Sequence, residues 1–289
     1  MSIRVYINGV IHQPETAMVS VFDRGFLFGD SVYETIAHIA GRFIFPSEHL
    51  DRLERSAQRI YLEPPARGAI EAAMRQTTAA FGQTDARVRV MVTRGAAGID
   101  IDPASATSPS LVVIAQPLGA PTSQMIADGV SAQVVSLSRG SRGGMDPTVK
   151  SGNYLSSVLA MAEARRRRPG VHEAILCSGE GSVAEGATSN VFFVAGGVLR
   201  TPGLAVGILD GVTRGKVLVA ARAAGMEVQE SDFVAPKELR TADEVFLTSA
   251  VRGILPVTKV DGKKVGDARP GPITRKLIDI YQRLLSEAS

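Results

Sequence analysis

The stretch DPTVKSGNY, residues 146–154, decides the interpretation of this chain, because it contains the only lysine among the first 215 residues. The sequence has seven lysines and 25 arginines, and the other six lysines lie at position 216 or later. An unprotonated lysine amine forms a Schiff base with a carbonyl, whereas the arginine guanidinium stays charged. The alternative is a compositional accident, but a surface lysine is electrostatically unfavourable at the start of a helix. We therefore interpret Lys150 as a covalent catalyst.

Two later segments offer what a Schiff-base lysine needs when it serves pyridoxal phosphate. That cofactor requires a carboxylate at its pyridine nitrogen and a site for its phosphate. Glu185 lies between a predicted turn and an apolar strand, and it fits the first need. Residues 207–214, GILDGVTR, lead into a helix whose first turn offers N–H groups and the Thr213 hydroxyl, which fit the second. Each segment alone is a weak signal, since a glutamate in a turn is commonly just solvated.

In this order along the chain, the segments resemble the class IV aminotransferases, the fold-type IV group of pyridoxal phosphate enzymes. That family holds branched-chain aminotransferases, D-amino-acid aminotransferases and aminodeoxychorismate lyases. The resemblance covers essentially the whole chain. Its motifs are Asp23-Arg24-Gly25, Phe28-Gly29-Asp30, the segment 48–53, the segment 150–154, Ala184-Glu185-Gly186 with Ser189-Asn190, the segment 207–214 and the segment 246–249.

The resemblance implies a role for each matching residue. Lys150 would hold the cofactor as a Schiff base and move a proton between substrate and cofactor. Glu185 would pair with the pyridinium nitrogen, and Tyr154 would approach the phenolic oxygen. The phosphate would be bound by Arg52, Val212, Thr213 and Thr248. The complete implied cofactor-binding set is Arg52, Lys150, Tyr154, Glu185, Ser189, Asn190, Leu209, Val212, Thr213, Thr248 and Ser249.

The residues around the substrate carboxylate give mixed signals. D-amino-acid aminotransferases carry an Arg-x-His pair where this chain has Ile99 and Ile101. Branched-chain enzymes carry Tyr-x-Arg where this chain has Arg87-Val-Arg89, and the lyases carry a threonine that aligns with Thr35. Residues 251–253, Val-Arg-Gly, depart from the usual transaminase loop. The implied substrate pocket contains Tyr33, Thr35, His38, Arg89, Arg142 and Ala250.

Three functions follow as hypotheses. The first is an aminotransferase that moves an amino group between an amino acid and a 2-oxo acid, with broad or branched-chain-leaning specificity. The second is a lyase that releases pyruvate and 4-aminobenzoate from aminodeoxychorismate, which Thr35 favours. The third, from another class, is a non-catalytic protein that binds pyridoxal phosphate or a partner. The family also implies a homodimer in which the partner subunit contributes to the pocket.

The sequence predicts a mixed α/β (α+β) fold in two parts. The small N-terminal domain covers 1–117 and the larger C-terminal domain 125–289, joined by a Pro- and Gly-rich linker at 118–124. The family implies that the cofactor lies at their interface. Alternating apolar residues predict strands at 3–11 and, from a second apolar run, at 17–22.

Composition excludes several classes of protein. One cysteine, Cys177, cannot form an intramolecular disulfide or a cysteine-rich metal site, and the four histidines are too scattered to bind a metal. No apolar run approaches the roughly 20 residues of a membrane span, so we expect a cytoplasmic protein. The net charge is only +3, and the run of four arginines at 165–168 follows a predicted helix. Cations are favourable at a helix C-terminus, so we expect no binding of nucleic acid.

Overall fold

The computed structural model describes residues 3–139 and 146–287 of the chain. Contacts divide these residues into two compact units, between Gly119 and Ala120 and thus inside the predicted linker. The segment Val149–Asn153, with Lys150, groups with the first unit, although the sequence-based division assigned it to the C-terminal domain. It does so because its backbone bonds to a strand of that unit, with the Tyr33 N–H donating to the Lys150 carbonyl over 3.0 Å.

The first unit is built on an antiparallel sheet, in which its described residues form six strands in the order β2-β1-β6-β5-β3-β4. Two long helices, α2 and α3, pack on the sheet. The elements are β1 (Arg4–Ile7), β2 (Val10–His12), α1 (Arg24–Phe28), β3 (Ser31–Ile39), β4 (Arg42–Phe43), α2 (Pro46–Arg59), α3 (Arg67–Phe81), β5 (Ala86–Thr93) and β6 (Ser110–Pro117).

Buried and less buried side chains alternate along β5, and the buried ones form the core of this unit. Val88, Val90 and Val92 of β5 are fully buried and face the helices, and Leu50 and Leu53 of α2 pack with them. Successive residues of a strand point to opposite faces, so the residues between these valines lie on the other face of the sheet. Burial of one such side chain is worth roughly 1.5–3 kcal/mol.

The second unit is built on a mixed sheet, in which its described residues form nine strands in the order β12-β11-β10-β13-β14-β7-β8-β9, with β15 on β14. The elements are α4 (Ser123–Asp128), β7 (Val130–Ser138), α5 (Leu155–Arg167), β8 (Glu173–Cys177), β9 (Val183–Gly186), β10 (Asn190–Ala195), β11 (Val198–Pro202), α6 (Val212–Ala223), β12 (Val228–Ser231), α7 (Pro236–Arg240), β13 (Glu244–Ser249), β14 (Gly253–Val260), β15 (Lys263–Lys264) and α8 (Pro272–Glu287).

The core of the second unit lies on both faces of this sheet. One apolar cluster includes Val191, Phe193 and Leu247, and on the opposite face Phe192 and Phe246 stack with their ring centroids 5.0 Å apart. The central strands are therefore apolar without alternation, as strands covered on both faces are. Among the described residues, no helix combines the length and apolar character needed to cross a bilayer.

One predicted strand is absent. Residues 17–22 form no strand, and Met18, Val19, Val21 and Phe22 are exposed. The composition of this apolar run predicts a strand. In the structure this run is an exposed segment that ends in a turn, and its Phe22 carbonyl accepts a hydrogen bond from the Ala97 N–H over 3.2 Å.

Candidate functional site

The backbone of Lys150 is fixed from two sides within the first unit. Its carbonyl accepts from the Tyr33 N–H of β3, and its own N–H donates to the Ser56 hydroxyl of α2 over 3.1 Å. The Gly152 N–H donates to the Ser31 carbonyl over 2.9 Å, so the segment adds to the start of β3. The lysine side chain therefore starts from a rigid base, although its segment has no regular secondary structure of its own.

Tyr33 carries two cations on its ring. Lys150 Nζ lies 4.6 Å from the ring centroid, and the Arg89 guanidinium carbon lies 4.8 Å from it. Thr35 stands directly opposite Arg89 in the β3–β5 register. The structure thus brings together four of the residues that the sequence assigned to catalysis and substrate binding, namely Lys150, Tyr33, Thr35 and Arg89.

His38 does not join this group. It lies an odd number of residues from Tyr33 and Thr35 on β3, so its side chain points to the other face of the sheet. There it packs against Phe43 with the ring centroids 4.8 Å apart. The structure therefore does not support the assignment of His38 to the substrate pocket. Arg142 lies outside the described residues.

Arg52 is held in a buried ion-pair cluster. Its Nε donates to Glu34 Oε1 over 2.6 Å and its Nη2 to Glu34 Oε2 over 2.8 Å. His49 Nδ1 lies 2.7 Å from Glu34 Oε2. Burial alone would raise the pKa of Glu34, but the charges and hydrogen bonds of Arg52 and His49 outweigh it, and the pKa lies far below its usual range. Arg52 also lies one helical turn before Ser56, which binds the Lys150 backbone.

The carboxylate of Glu185 is the centre of a second cluster, in the second unit. Its Oε2 accepts from the Leu209 N–H over 3.0 Å and from Asn190 Nδ2 over 3.2 Å. Its Oε1 forms an ion pair with Arg139. Asn190 Nδ2 also donates to the Leu209 carbonyl over 2.9 Å, which ties β10 to the loop before α6. The carboxylate is buried, and three groups fix its position.

The start of α6 has the features of an anion site. Gly211 caps the helix and offers no side chain to its first N–H groups, which leaves those of Val212 and Thr213 for another acceptor. A Cβ on Gly211 would collide with Asn190 Oδ1, so only glycine fits. Thr248 faces Asn190 across the β10–β13 pair, and its buried hydroxyl makes no hydrogen bond to the described residues. An orphaned buried hydroxyl beside a helix N-terminus suits a phosphate.

The remaining predicted cofactor residues have mixed surroundings. Ser189 donates its hydroxyl to Glu173 over 3.1 Å, so that hydroxyl is already used within the protein. Tyr154 precedes α5 and is half-buried. Ser249 ends β13, and Ala250 begins the turn that follows. These positions are compatible with the predicted roles of Tyr154, Ser249 and Ala250, which stay predictions.

Sequence reasoning missed three residues that organise these clusters. Glu34 pairs with Arg52, and Arg139 pairs with Glu185. Tyr281 of α8 is buried, which raises its pKa, and the nearby Thr213 side chain acts in the opposite direction. A signal existed for Glu34, since a carboxylate inside an apolar strand requires a partner. Nothing in the sequence indicates that Arg139 and Tyr281 approach these sites.

The model of the family "Amino-transferase class IV" matches residues 31–260, most of the chain. The chain belongs to the class IV aminotransferase family. The branched-chain-amino-acid aminotransferase of Escherichia coli (strain K12) is 34% identical over 94% of this chain and 90% of that protein. The D-alanine aminotransferase of Listeria monocytogenes serotype 4b (strain F2365) is 33% identical over 99% of this chain and 97% of that protein.

A solved structure agrees over the full length of this class IV aminotransferase. It is a branched-chain amino acid aminotransferase from T.th., solved with pyridoxamine 5'-phosphate, and it has a TM-score of 0.92 and 28% identity. It covers 99% of this chain, and this chain covers 95% of it. The predictions of this family, of its mixed α/β fold and of an enzyme are confirmed.

Proposed function

We propose that this aminotransferase moves the amino group of a branched-chain amino acid to a 2-oxo acid, with Lys150 as the residue that forms the covalent link to the cofactor. The observation that carries the proposal is the position of Lys150. Its backbone is fixed on β3 and α2, and its amine lies over the Tyr33 ring beside Arg89. The Lys150 amine and the Arg89 guanidinium both contact the Tyr33 ring. This arrangement suits an amino-acid substrate, because a guanidinium can bind its carboxylate while the amine acts at the neighbouring carbon.

The cofactor is pyridoxal 5'-phosphate, as the sequence predicts, and the residues present fit it. When bound, it supplies a carbonyl for the lysine and a ring that accepts electrons. Thr248 and the start of α6 would hold the phosphate, and the resemblance to the family implies the same role for Arg52. Glu185 would hold a proton at the pyridine nitrogen, because an ionised carboxylate favours a cation beside it.

Lys150 Nζ is the group that we propose to take and return the proton at the substrate α-carbon. General acid–base catalysis by a positioned side chain is worth roughly 10²–10⁴-fold. Tyr33 restricts where this amine can lie, since its ring contacts the amine directly. Arg89 would orient the substrate through a carboxylate. Neither residue needs to exchange a proton for these tasks.

The branched-chain preference is supported by the relatives, and by the residues that stand where D-amino-acid enzymes carry their Arg-x-His pair. Ile99 and Ile101 stand where D-amino-acid enzymes carry an Arg-x-His pair, and both side chains are exposed.

The test of the branched-chain proposal is a panel of L- and D-amino acids and primary amines, with the absorbance of the bound cofactor followed in a stopped-flow instrument. L-leucine, L-valine and L-isoleucine are expected to react fastest. Faster reaction with D-alanine than with L-leucine would reject the branched-chain proposal.

A lyase is the second candidate, because Thr35 lies opposite Arg89 in the β3–β5 register. Aminodeoxychorismate would then yield pyruvate and 4-aminobenzoate. Absence of both products, with turnover of L-leucine intact, would reject the lyase.

The enzyme is also proposed to be a cytoplasmic homodimer. In the first unit, Arg24 donates to the carbonyls of Asp100 and Ile101, over 2.7 and 3.3 Å, and joins the 99–101 loop to the segment 17–28. Both segments expose large apolar side chains, which we group here as one patch. In the second unit, Leu155, Val158 and Leu159 are exposed along one face of α5. Such large apolar surfaces mark interfaces. The patch of the first unit consists of Met18, Val19, Val21, Phe22, Phe26, Ile99 and Ile101.

Phe26→Asp is expected to yield a monomer of 30.5 kDa, where the unchanged protein has twice that mass by light scattering. Phe26 is 69% exposed, so a charge there costs the isolated chain little, but it is unfavourable in an apolar interface. Val219→Asp is the matched control, because Val219 is 67% exposed on α6, outside the patch. A dimeric Phe26→Asp variant would show that this patch is not the interface.

Glu185→Gln is expected to lower kcat by about 10²-fold, the effect of removing one preorganised electrostatic group. The amide cannot hold a proton at the pyridine nitrogen, and it leaves Arg139 without its ion pair. Steady-state kinetics and the visible spectrum of the bound cofactor measure the two consequences. Glu180→Gln, on an exposed turn, is the control and should behave as the unchanged enzyme. A normal kcat in Glu185→Gln would remove Glu185 from the proposed mechanism.

A further inference from the structure

Arg252 lies in the turn that departs from the usual transaminase loop, and it makes an unusual number of contacts. Its Nε donates to the Ser249 hydroxyl over 3.1 Å, inside the same turn. Its Nη2 donates to Glu173 Oε2 over 2.9 Å, to the Thr188 hydroxyl over 2.7 Å and to the Thr188 carbonyl over 3.2 Å. One guanidinium thereby joins the β13–β14 turn to the turn before β10.

The carboxylate that receives Arg252 is buried and shared. Glu173 Oε2 also accepts from the hydroxyls of Thr188 and Ser189, over 3.0 and 3.1 Å. The Glu173 side chain is only 2% exposed, and that of Arg252 is 17% exposed. A charged pair at this burial has a fixed geometry, because separating it would leave an uncompensated charge. The anchor of the β13–β14 turn is therefore rigid.

The turn is also held from its other end. Gly253 has φ +60°, and a Cβ there would lie 3.1 Å from the Tyr281 ring. Tyr281 lies near Thr213, at the start of α6. The residues that follow Thr248 are thus confined between Arg252 on one side and Tyr281 on the other.

We propose that Arg252 is a positioning residue for this active site. It holds the turn Ser249–Arg252, so that Ser249 stays in place for the cofactor and Ala250 for the substrate. The inference rests on the proposed function, and on the roles that the family implies for Ser249 at the cofactor and for Ala250 at the substrate. Arg252 itself acts through the turn, since its Nε is engaged by Ser249, its Nη2 by Thr188 and Glu173, and its Nη1 lies 3.4 Å from His172 Nε2.

The test compares Arg252→Met and Arg252→Lys in the purified holoenzyme, with L-leucine and 2-oxoglutarate as substrates. Arg252→Met is expected to raise both KM for L-leucine and the Kd of pyridoxal phosphate about 10-fold, a change of roughly 1.4 kcal/mol. We expect kcat to stay within about 3-fold, because the reacting groups are unchanged. The Kd is measured by absorbance when pyridoxal phosphate is titrated into the apoenzyme.

Arg252→Lys separates positioning from simple stability. A lysine can keep the pair with Glu173, but one ammonium cannot also reach Ser249 and Thr188. Arg252→Met should therefore lower the midpoint of thermal unfolding. Arg252→Lys should restore that midpoint and still leave KM and Kd raised. Arg240→Met is the matched control, because Arg240 pairs with Asp261 elsewhere in the same unit over 2.6 Å, and its KM and Kd should be normal.

Two results would overturn the inference. One is a normal KM and Kd in Arg252→Met. The other is full recovery of KM, Kd and midpoint together in Arg252→Lys, which indicates a structural role alone. Should Arg252→Met not fold, the Lys variant still decides. Failure of the proposed function is a different result, namely an unchanged enzyme that binds pyridoxal phosphate but does not turn over L-leucine.

Discussion

Lys150→Ala is expected to lower kcat by roughly 10⁴-fold, the upper range for a positioned acid–base group. The methyl group can neither form the covalent link nor move a proton at the substrate α-carbon. Lys150→Arg should be equally inactive, although it keeps the positive charge, because a guanidinium is not a nucleophile near neutral pH. Rates are measured with L-leucine and 2-oxoglutarate.

The spectrum of the bound cofactor gives a second, independent measurement. Without the lysine amine, added pyridoxal phosphate should keep the absorbance of the free aldehyde form and should be lost on dialysis. Lys276→Ala is the control, because Lys276 is exposed on α8, and its activity and spectrum should be unchanged. A Lys150→Ala variant with the normal rate would overturn the whole assignment.

The sequence predicted those site features that depend on short segments. Lys150 stands out by residue type alone. Glu185, Asn190 and the start of α6 come together because a strand, a loop and a helix follow one another closely along the chain. Local order of this kind is visible in a motif, and the structure brings these residues into one cluster.

The partners of these residues depend on long-range packing, which a single sequence does not reveal. Arg139 reaches Glu185 from a segment 46 residues earlier, and Tyr281 approaches Thr213 from the last helix. His38 shows a related difficulty. Its position in the motif region suggested the pocket, but the alternation of β3 sends its side chain to the opposite face.

The strand predicted at 17–22 illustrates a different cause. An apolar run indicates burial, and in an isolated chain burial in a sheet is the simplest explanation. Here the run is exposed, and we propose that a second copy of the chain covers it. Sequence patterns record that a residue is apolar, and they do not record whether its apolar neighbour belongs to the same chain.

Glu34→Gln is expected to lower the free energy of unfolding by about 3–5 kcal/mol, the usual effect of breaking a buried pair. The carboxylate is fully buried, and Arg52 and His49 both face it, so the amide leaves the Arg52 charge without compensation. Urea unfolding at pH 7 measures the change. Asp51→Asn, on the helix that carries Arg52, is the control, because the Asp51–Arg67 pair is exposed and such pairs are worth about 1 kcal/mol or less.

A double variant tests whether the uncompensated Arg52 charge causes the loss of stability. Glu34→Leu with Arg52→Met removes both charges and should recover part of the stability lost in Glu34→Gln. The same double variant should bind pyridoxal phosphate more weakly, since Arg52 is proposed to hold the phosphate. Recovery of stability without loss of cofactor affinity would leave Arg52 with a structural role only.

The pH dependence of the free energy of unfolding tests whether Glu34 stabilises the fold as a charged group. Because the pKa of Glu34 is depressed in the folded protein, its contribution is fully present above the unfolded pKa of about 4.3. It is lost as the pH falls through that value towards the folded pKa. The difference in unfolding free energy between the unchanged enzyme and Glu34→Gln should thus be constant from about pH 7 to 5 and shrink below about 4.3. A difference that grew on acidification would mean that the carboxylate is protonated in the folded state, and that Arg52 is held by something other than its charge.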